Sequence, residues 1–351
     1  MTLFFLELSL ILFDNRGKEI WRREIHLDIV HKEKDEVFGK FIESGYFDKV
    51  LGWNDSQVKP APQKKYIAQS YGDSFTLSLS GESWQKQFFN RRGEGIINLG
   101  SQGYGLDQAC LKFEKVSSIY NDQYKTKYTI LGLYCGMYRR LLNYYAPNYF
   151  VTMKEARFMF KPIYINSKDT FKLILPPCVD KYCLIDGLKD KNSEVYNKII
   201  KYDYWYNHEM SKPKLKFPRL LSYFIGLPDA INKKMQRAYN FPYSFMNDHS
   251  IVLTKYLISN FCNISYNQNN IPLILLMYSK YELGGIMENK REDKWLLNYL
   301  NENKIRYVDT SQEFLKYIND GGNIDDLFGN DGVHYNIKGD SLISISLDQK
   351  I

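Results

Sequence analysis

The sequence carries no block of like charge, although its formal net charge is +7 over 351 residues. Zinc-finger spacing, a homeodomain pattern and an RNP string are also missing, so nucleic-acid binding has no support. A dispersed positive balance would suit an acidic polysaccharide, though a solvated surface accounts for most such charge. No C-x-x-C occurs among the five cysteines, Cys110, Cys135, Cys178, Cys183 and Cys262. Cys178 and Cys183 are close enough to pair, but their spacing fits no zinc pattern. Buried free thiols are the expected state, and the odd number leans toward a reducing compartment. His26, His31, His208 and His249 show no metal-ligand spacing, and H-E-x-x-H is absent. There is no Walker A string, no G-x-G-x-x-G behind a strand and no G-x-S-x-G elbow. Nucleotide sites and the α/β-hydrolase elbow are thereby unsupported, and neither a metal nor a cofactor is expected. No apolar run reaches the ~20 residues of a membrane helix. Leu3 to Phe13 is interrupted by Glu7 and lacks the basic start and small-residue cleavage site of a signal peptide. That run reads as a packed strand or helix, or as part of a longer anchor giving weak membrane association. Location stays open between cytoplasmic and membrane-associated or extracytoplasmic.

What is present is an ordinary globular balance, 44% hydrophobic and 25% charged. Aromatics reach 16%, with 29 Tyr and 21 Phe. Stacking on sugar rings is one reading. The joint abundance of Lys, Asn, Ile, Tyr and Phe favours the plainer one, an AT-rich coding sequence.

Residues 1–60 read as an N-terminal preamble that ends in the proline-containing loop Asn54 to Pro62. The domain proper is expected over 61–351. Strands are predicted at Tyr66 to Ser70, Gly95 to Leu99, Tyr128 to Tyr134, Ile271 to Tyr278 and Ile305 to Asp309. Helices are predicted at Glu82 to Phe89, Leu106 to Glu114, from the third strand through Tyr145, Ile251 to Phe261, Asp293 to Leu300 and from Ile337. Such βα alternation implies a three-layer α/β/α sandwich, flavodoxin-like, with about five parallel strands. The pattern breaks at a hairpin, Arg157 to Tyr164 and Thr170 to Leu175, with a turn at Asn166-Ser167-Lys168. A polar, aromatic and helical insertion follows over about 180–250. It is expected to cap the site, with Trp205, Tyr202, Tyr204 and Tyr206 lining a groove or forming a packing cluster. Asn247 and Asp248 read as caps of the next helix, which leaves His249 without a special role.

In open α/β sheets ligands bind at the carboxyl ends of the strands. After the first strand stands Gly72-Asp73-Ser74-Phe75-Thr76, where a serine at a strand-to-helix turn exposes its hydroxyl. After the second stands Asn98-Leu99-Gly100-Ser101-Gln102-Gly103-Tyr104-Gly105-Leu106-Asp107-Gln108, whose glycines allow backbone to approach a ligand. Near the end stands Asp331-Gly332-Val333-His334. A carboxylate three residues before a histidine can hold one ring nitrogen while the other faces a nucleophile.

These blocks, in this order, resemble the SGNH (GDSL-like) hydrolase superfamily. The Gly-Asp-Ser-Phe-Thr string, Trp84, the Asn-Leu-Gly-x-x-Gly-Tyr-Gly-x-Asp-Gln string, Lys161-Pro162 and the closing Asp-Gly-x-His-Tyr-Asn with Gly339 look like a bacterial branch of it. The resemblance spans roughly residues 60–345, with 180–250 weakly covered. It implies Ser74 as nucleophile, His334 as base and Asp331 as its orienting carboxylate. It also implies the backbone N–H groups of Ser74 and Gly103 as oxyanion donors, with Asp73 supporting the turn. The implied activity is serine ester hydrolysis through an acyl-enzyme, on an acylated carbohydrate or lipid. O-acyl transfer to a polysaccharide hydroxyl would use the same triad.

One block departs from the pattern. The superfamily places an asparagine after the third strand as a third oxyanion donor, and here Gly136 stands at that place, within Tyr134-Cys135-Gly136-Met137-Tyr138-Arg139-Arg140. Losing one such donor can cost on the order of 10²–10³ in rate. Arg139, Arg140 and Asn143 lie nearby in sequence. The departure motivates a rival of another class, a non-catalytic glycan-binding protein on a decayed scaffold of this type.

Overall fold

The structure, a computed structural model, describes residues 47–53, 65–146, 160–168, 170–178, 181–204, 206 and 248–351. The apolar run at Leu3 to Phe13, the proline loop, Trp205 and most of the expected cap lie outside them.

Among the described residues the elements run β1 (Phe47–Asp48), β2 (Gly52–Trp53), β3 (Tyr66–Tyr71), α1 (Ser74–Leu77), α2 (Trp84–Arg92), β4 (Gly95–Asn98), α3 (Leu106–Tyr124), β5 (Tyr128–Tyr134) and α4 (Cys135–Arg140). They continue with β6 (Ile163–Ser167), β7 (Thr170–Ile174), α5 (Lys181–Lys189), α6 (Glu194–Tyr202), α7 (Asp248–Asn267), β8 (Ile271–Met277), α8 (Lys280–Met287), α9 (Lys294–Glu302), β9 (Tyr307–Asp309), α10 (Ser311–Asn319) and α11 (Ile337–Asp348).

The main sheet has the order β4-β3-β5-β8-β9, and every pairing is parallel. In core-strand terms this is 2-1-3-4-5, the flavodoxin-like order. The reason lies in the strands. Ala68 to Tyr71, Tyr128 to Leu133 and Pro272 to Met277 are unbroken buried runs, as strands covered on both faces require. Pro272 sits at the second position of β8, near the strand start where a missing donor is tolerated. The helices α2 and α11 pack together, as do α3 and α7, giving the two outer layers. Phe113 of α3 joins them to the sheet, edge-on to Tyr71 at 5.2 Å and tilted on Phe261 at 4.5 Å.

Capping explains the helix limits that differ from expectation. Ser83 accepts from Lys86 N and Gly93 closes the helix in the left-handed region, so α2 runs Trp84–Arg92. The helix expected from Ile251 starts at Asp248, making Asp248 its first residue. The helix expected to continue through Tyr145 stops at Arg140. Asn166 and Ser167 extend β6 and pair with Phe171 and Thr170, so of the three expected turn residues only Lys168 lies outside the strands. The last strand is shorter than expected and limited to Tyr307–Asp309, the three residues that pair with Ile274 to Leu276 of β8.

Cys178 and Cys183 form a disulfide across a Cα separation of 5.6 Å, against the expectation of free thiols. A short link between β7 and α5 brings their Cα atoms within bonding range. Cys110, Cys135 and Cys262 are free and buried, as expected. Leu51 and Trp53 are buried in the main core, so the end of the preamble packs with the sheet domain.

Candidate active site

Ser74, Gly103 and Gly136 lie on segments that follow the carboxyl ends of β3, β4 and β5, and His334 lies in the loop before α11. The strand order reverses between β3 and β5, the switch point where such folds form clefts. Ser74 is the first residue of α1, directly beyond β3, and is 4% exposed. Asp73 caps this turn, its Oδ1 accepting from Phe75 N at 3.0 Å. Gly72 and Gly132 are needed here because a Cβ on either would collide with Thr76 Oγ1, which keeps the serine turn pressed on β5.

His334 Nε2 lies 2.9 Å from Ser74 Oγ, and His334 Nδ1 lies 2.5 Å from Asp331 Oδ2. Asp331 Oδ1 also accepts from the N–H groups of Val333 at 2.9 Å and His334 at 3.0 Å. Burial pushes the Asp331 carboxyl up, but the His334 ring and these two donors outweigh it and hold it below its ordinary value. Gly332 adopts φ +66°, a left-handed turn that lets the chain fold back from Asp331 to His334. The imidazole packs beside Phe75 at 5.2 Å, and Phe75 stacks on Tyr134 at 3.7 Å. Tyr335 anchors the loop from behind, donating to Tyr278 O at 2.6 Å and accepting from Tyr278 N at 2.8 Å. Asn336 caps α11 through Lys338 N and Gly339 N.

Gly103, at φ +75°, sits in a loop held at several points. Asn98 Nδ2 donates to Leu77 O at 2.8 Å, and Trp53 Nε1 donates to Gln102 O at 3.0 Å. Lys112 Nζ donates to Ser101 Oγ at 2.7 Å. Gln108 Oε1 accepts from Gly105 N at 3.1 Å, closing the first turn of α3. Asp107 forms a wholly buried ion pair with Lys161. Lys161-Pro162 and Asp107-Gln108 are thus structural supports of the loop. Burial drives both members of that pair toward neutrality, and their mutual attraction opposes it.

Gly136 is buried at the start of α4, directly after β5. Arg140, from the same helix, forms a buried ion pair with Asp73 at 2.8 Å and donates to Tyr104 O at 2.8 Å. No sequence signal links Arg140 to a carboxylate 67 positions away, so this contact was not legible beforehand. Asn143 lies elsewhere: its Nδ2 donates to Asp203 Oδ2 at 3.1 Å and Tyr145 O at 2.8 Å. Burial, followed by Glu282, pushes the Cys135 thiol well above its ordinary value, which keeps it protonated. His249 Nδ1 is 3.0 Å from Asn166 Oδ1, beside the hairpin. Tyr202 packs edge-on to Tyr144 at 5.8 Å and Tyr206 to Tyr196 at 6.5 Å, an aromatic packing cluster among the described residues. Among the described residues no three His, Cys, Asp or Glu side chains are grouped to hold a metal, and no helix is long and apolar enough to cross a membrane.

No family model matches the chain. Protein OS-9 from human, rat and cattle is 28% identical over 90 residues, covering 23% of this chain and 14% of that protein. Similar solved structures include a protein described as lipolytic, of the G-D-S-L family, from Desulfitobacterium hafniense, with TM-score 0.35 and 11% identity, covering 81% of this chain and 98% of that one. A member of the lipolytic G-D-S-L family from Veillonella parvula has TM-score 0.37 and 9% identity, covering 80% and 96%. The family 3 carbohydrate esterase of Clostridium thermocellum has TM-score 0.35 and 10% identity, covering 82% and 95%.

Proposed function

We propose that the protein is a serine ester hydrolase that removes acyl groups from a carbohydrate or lipid through an acyl-enzyme. The observation that carries this reading is the continuous chain from Ser74 Oγ through both nitrogens of His334 to Asp331. Three residues from two loops 260 positions apart meet with the spacing that nucleophile, base and orienting acid require. The ordered motif blocks point the same way.

In this mechanism Ser74 Oγ attacks the ester carbonyl carbon as its proton passes to His334 Nε2. Asp331 keeps the other ring proton on Nδ1 and stabilises the imidazolium. The carbonyl oxygen gains the negative charge and is held by the N–H groups of Ser74 and Gly103. Collapse breaks the bond to the alcohol oxygen, which leaves with the proton from His334. Water then attacks the acyl-enzyme by the same route, regenerating the serine and releasing the acid. A sugar hydroxyl in place of that water would give acyl transfer, and the triad serves either acceptor.

A fluorophosphonate probe read by intact mass tests the reading without a guess at substrate. Wild type should gain one adduct, and Ser74→Ala and His334→Ala should gain none. A folded wild type that stays unlabelled would sink the reading in favour of a glycan-binding protein. Product analysis with an acyl donor, with and without a glycan acceptor, separates hydrolase from transferase.

A further inference from the structure

We propose that Arg140 is the positioning residue of the oxyanion site, acting from the edge of the space that a side chain at position 136 would otherwise enter. The proposal rests on the ester-hydrolase reading above.

The first observation is that a single guanidinium nitrogen joins two loops. Arg140 Nη1 donates to Asp73 Oδ2 at 2.8 Å and to Tyr104 O at 2.8 Å. Asp73 immediately precedes Ser74, and Tyr104 immediately follows Gly103. The clamp therefore spans the two peptide segments whose N–H groups are assigned to the oxyanion. The second observation concerns space. A Cβ built on Gly136 would meet the Tyr134 ring at 2.8 Å and lie 3.5 Å from Arg140 Nη2, so the guanidinium borders the volume that a side chain at 136 would fill. The third is the fit of the loop against the arginine. A Cβ on Gly105 would collide first with Asp107 Oδ1, and would stand 3.3 Å from Arg140 Cβ, tighter than ordinary contact, and 3.5 Å from its carbonyl carbon. Glycine at 105 lets the Gly103 loop close on α4.

The physical consequence follows from how oxyanion donors work. Backbone N–H groups stabilise a developing charge in proportion to how well they are aimed before the reaction starts. Two donors on separate loops lose that benefit if the loops drift independently. A third donor at position 136 is one remedy. A rigid cation that ties the two remaining donors together is another. Arginine suits it: the planar guanidinium holds the two N–H bonds of one nitrogen at a fixed angle, one for each loop, and carries a positive charge. The side chain of Arg140 is 11% exposed and that of Asp73 wholly buried, so solvent screens the pair weakly.

The test uses the full chain, the fluorophosphonate probe and p-nitrophenyl acetate. Arg140→Ala should still label at Ser74 to completion, more slowly than wild type. Its kcat should fall about 10²-fold with KM little changed, the scale of a lost oxyanion contribution. Guanidinium ion, at concentrations that leave the thermal midpoint unchanged, should restore part of the kcat. Arg140→Lys keeps the charge but not the fork, and should remain impaired. Should Arg140→Ala fail to fold around an unpaired Asp73, the double variant Asp73→Asn, Arg140→Gln removes that charge and should show the same kcat loss. Wild-type kcat in a folded variant, or a loss that guanidinium leaves untouched, would overturn the proposal while the triad stands. A wild type that neither labels nor turns over would take down the ester-hydrolase reading and this inference with it.

Discussion

Among the described residues the molecule has two hydrophobic clusters of different kinds. The larger lines both faces of the parallel sheet and holds residues from every core strand. The smaller gathers Tyr144, Tyr145, Phe160, Ile163, Leu184, Leu188, Val195 and Ile199 beneath the β6–β7 hairpin and helices α5 and α6. Ser74 opens α1 of the larger body, and Asp331 and His334 stand on its loop before α11. The smaller one is joined to it by apolar and polar contacts: Tyr164 of β6 belongs to the larger cluster, and Phe171 and Leu173 of β7 pack against it. Asp203 Oδ2 accepts from Asn143 Nδ2, Tyr144 N and Tyr145 N within 3.1 Å. The buried Lys161–Asp107 pair ties the start of the hairpin to α3. The lesson is a division of labour: a ladder of parallel strands positions Ser74, Asp331 and His334, and an appended cluster is attached beside it through the hairpin and one buried ion pair. Tyr144 and Tyr145 of that cluster follow shortly after Arg140 in the chain.

If this division holds, damage in one region should be separable from damage in the other. Ser74→Ala should lower ester turnover by roughly 10⁴–10⁶-fold with the thermal midpoint unchanged. A midpoint that drops as well would mean that the serine also supports the fold. Lys161→Met should show the reverse pattern. It strands Asp107 in the interior, and denaturant titration should find a loss of about 3–5 kcal/mol, while the folded fraction still labels at Ser74. Loss of labelling in folded protein would show that the joint shapes the site.

A third contrast lies within the main body. Asp340, at the start of α11, is buried, its Oδ2 accepting from Ser78 and Ser80 at 2.5 Å each. Burial pushes its carboxyl up to about 6, against the pull of the two hydroxyls. Its folded value lies above the unfolded 3.8, so the folded chain takes up this proton first. The resulting stabilisation is complete below pH 3.8 and is lost as pH rises through about 6, amounting to roughly 3 kcal/mol. Asp331, held low, acts oppositely: its contribution is present above its unfolded value and is lost as pH falls through the folded one. Denaturant titrations across this window should show a slope that Asp340→Asn removes; an unchanged slope would assign it to other groups. The smallest effect should come from the disulfide. Cys178→Ser with Cys183→Ser should cost about 2 kcal/mol and speed amide exchange in α5, leaving kcat as it was. An altered kcat would tie the appended cluster to catalysis.

Much of this was legible beforehand, and the reasons are local. The runs Ile271 to Met277 and Tyr128 to Leu133 read as buried strands because a covered parallel strand needs no polar alternation. Ser74 and His334 could be singled out because their neighbours, Gly72 and Asp73 on one side and Asp331 and Gly332 on the other, shape the turns that present them. The Cys178–Cys183 bond was misjudged because five-residue spacing alone leaves open whether two Cβ atoms face each other. Asn143 lies near Gly136 in the chain, yet a buried carboxylate 60 residues away holds it.

By itself, the sequence determined the order of strands and helices, the turns that carry Ser74 and His334, and the glycine at 136. Periodicity, breakers and caps act within a few residues and can be read within a few residues. Tertiary structure alone decided which loops meet. The approach of His334 to Ser74 at 2.9 Å, the Arg140 clamp on Asp73 and Tyr104, and the burial that raises Asp340 depend on the 2-1-3-4-5 packing of the sheet. Those contacts join residues far apart in the chain, and their free energies come from desolvation and distance, which exist only once the fold has closed.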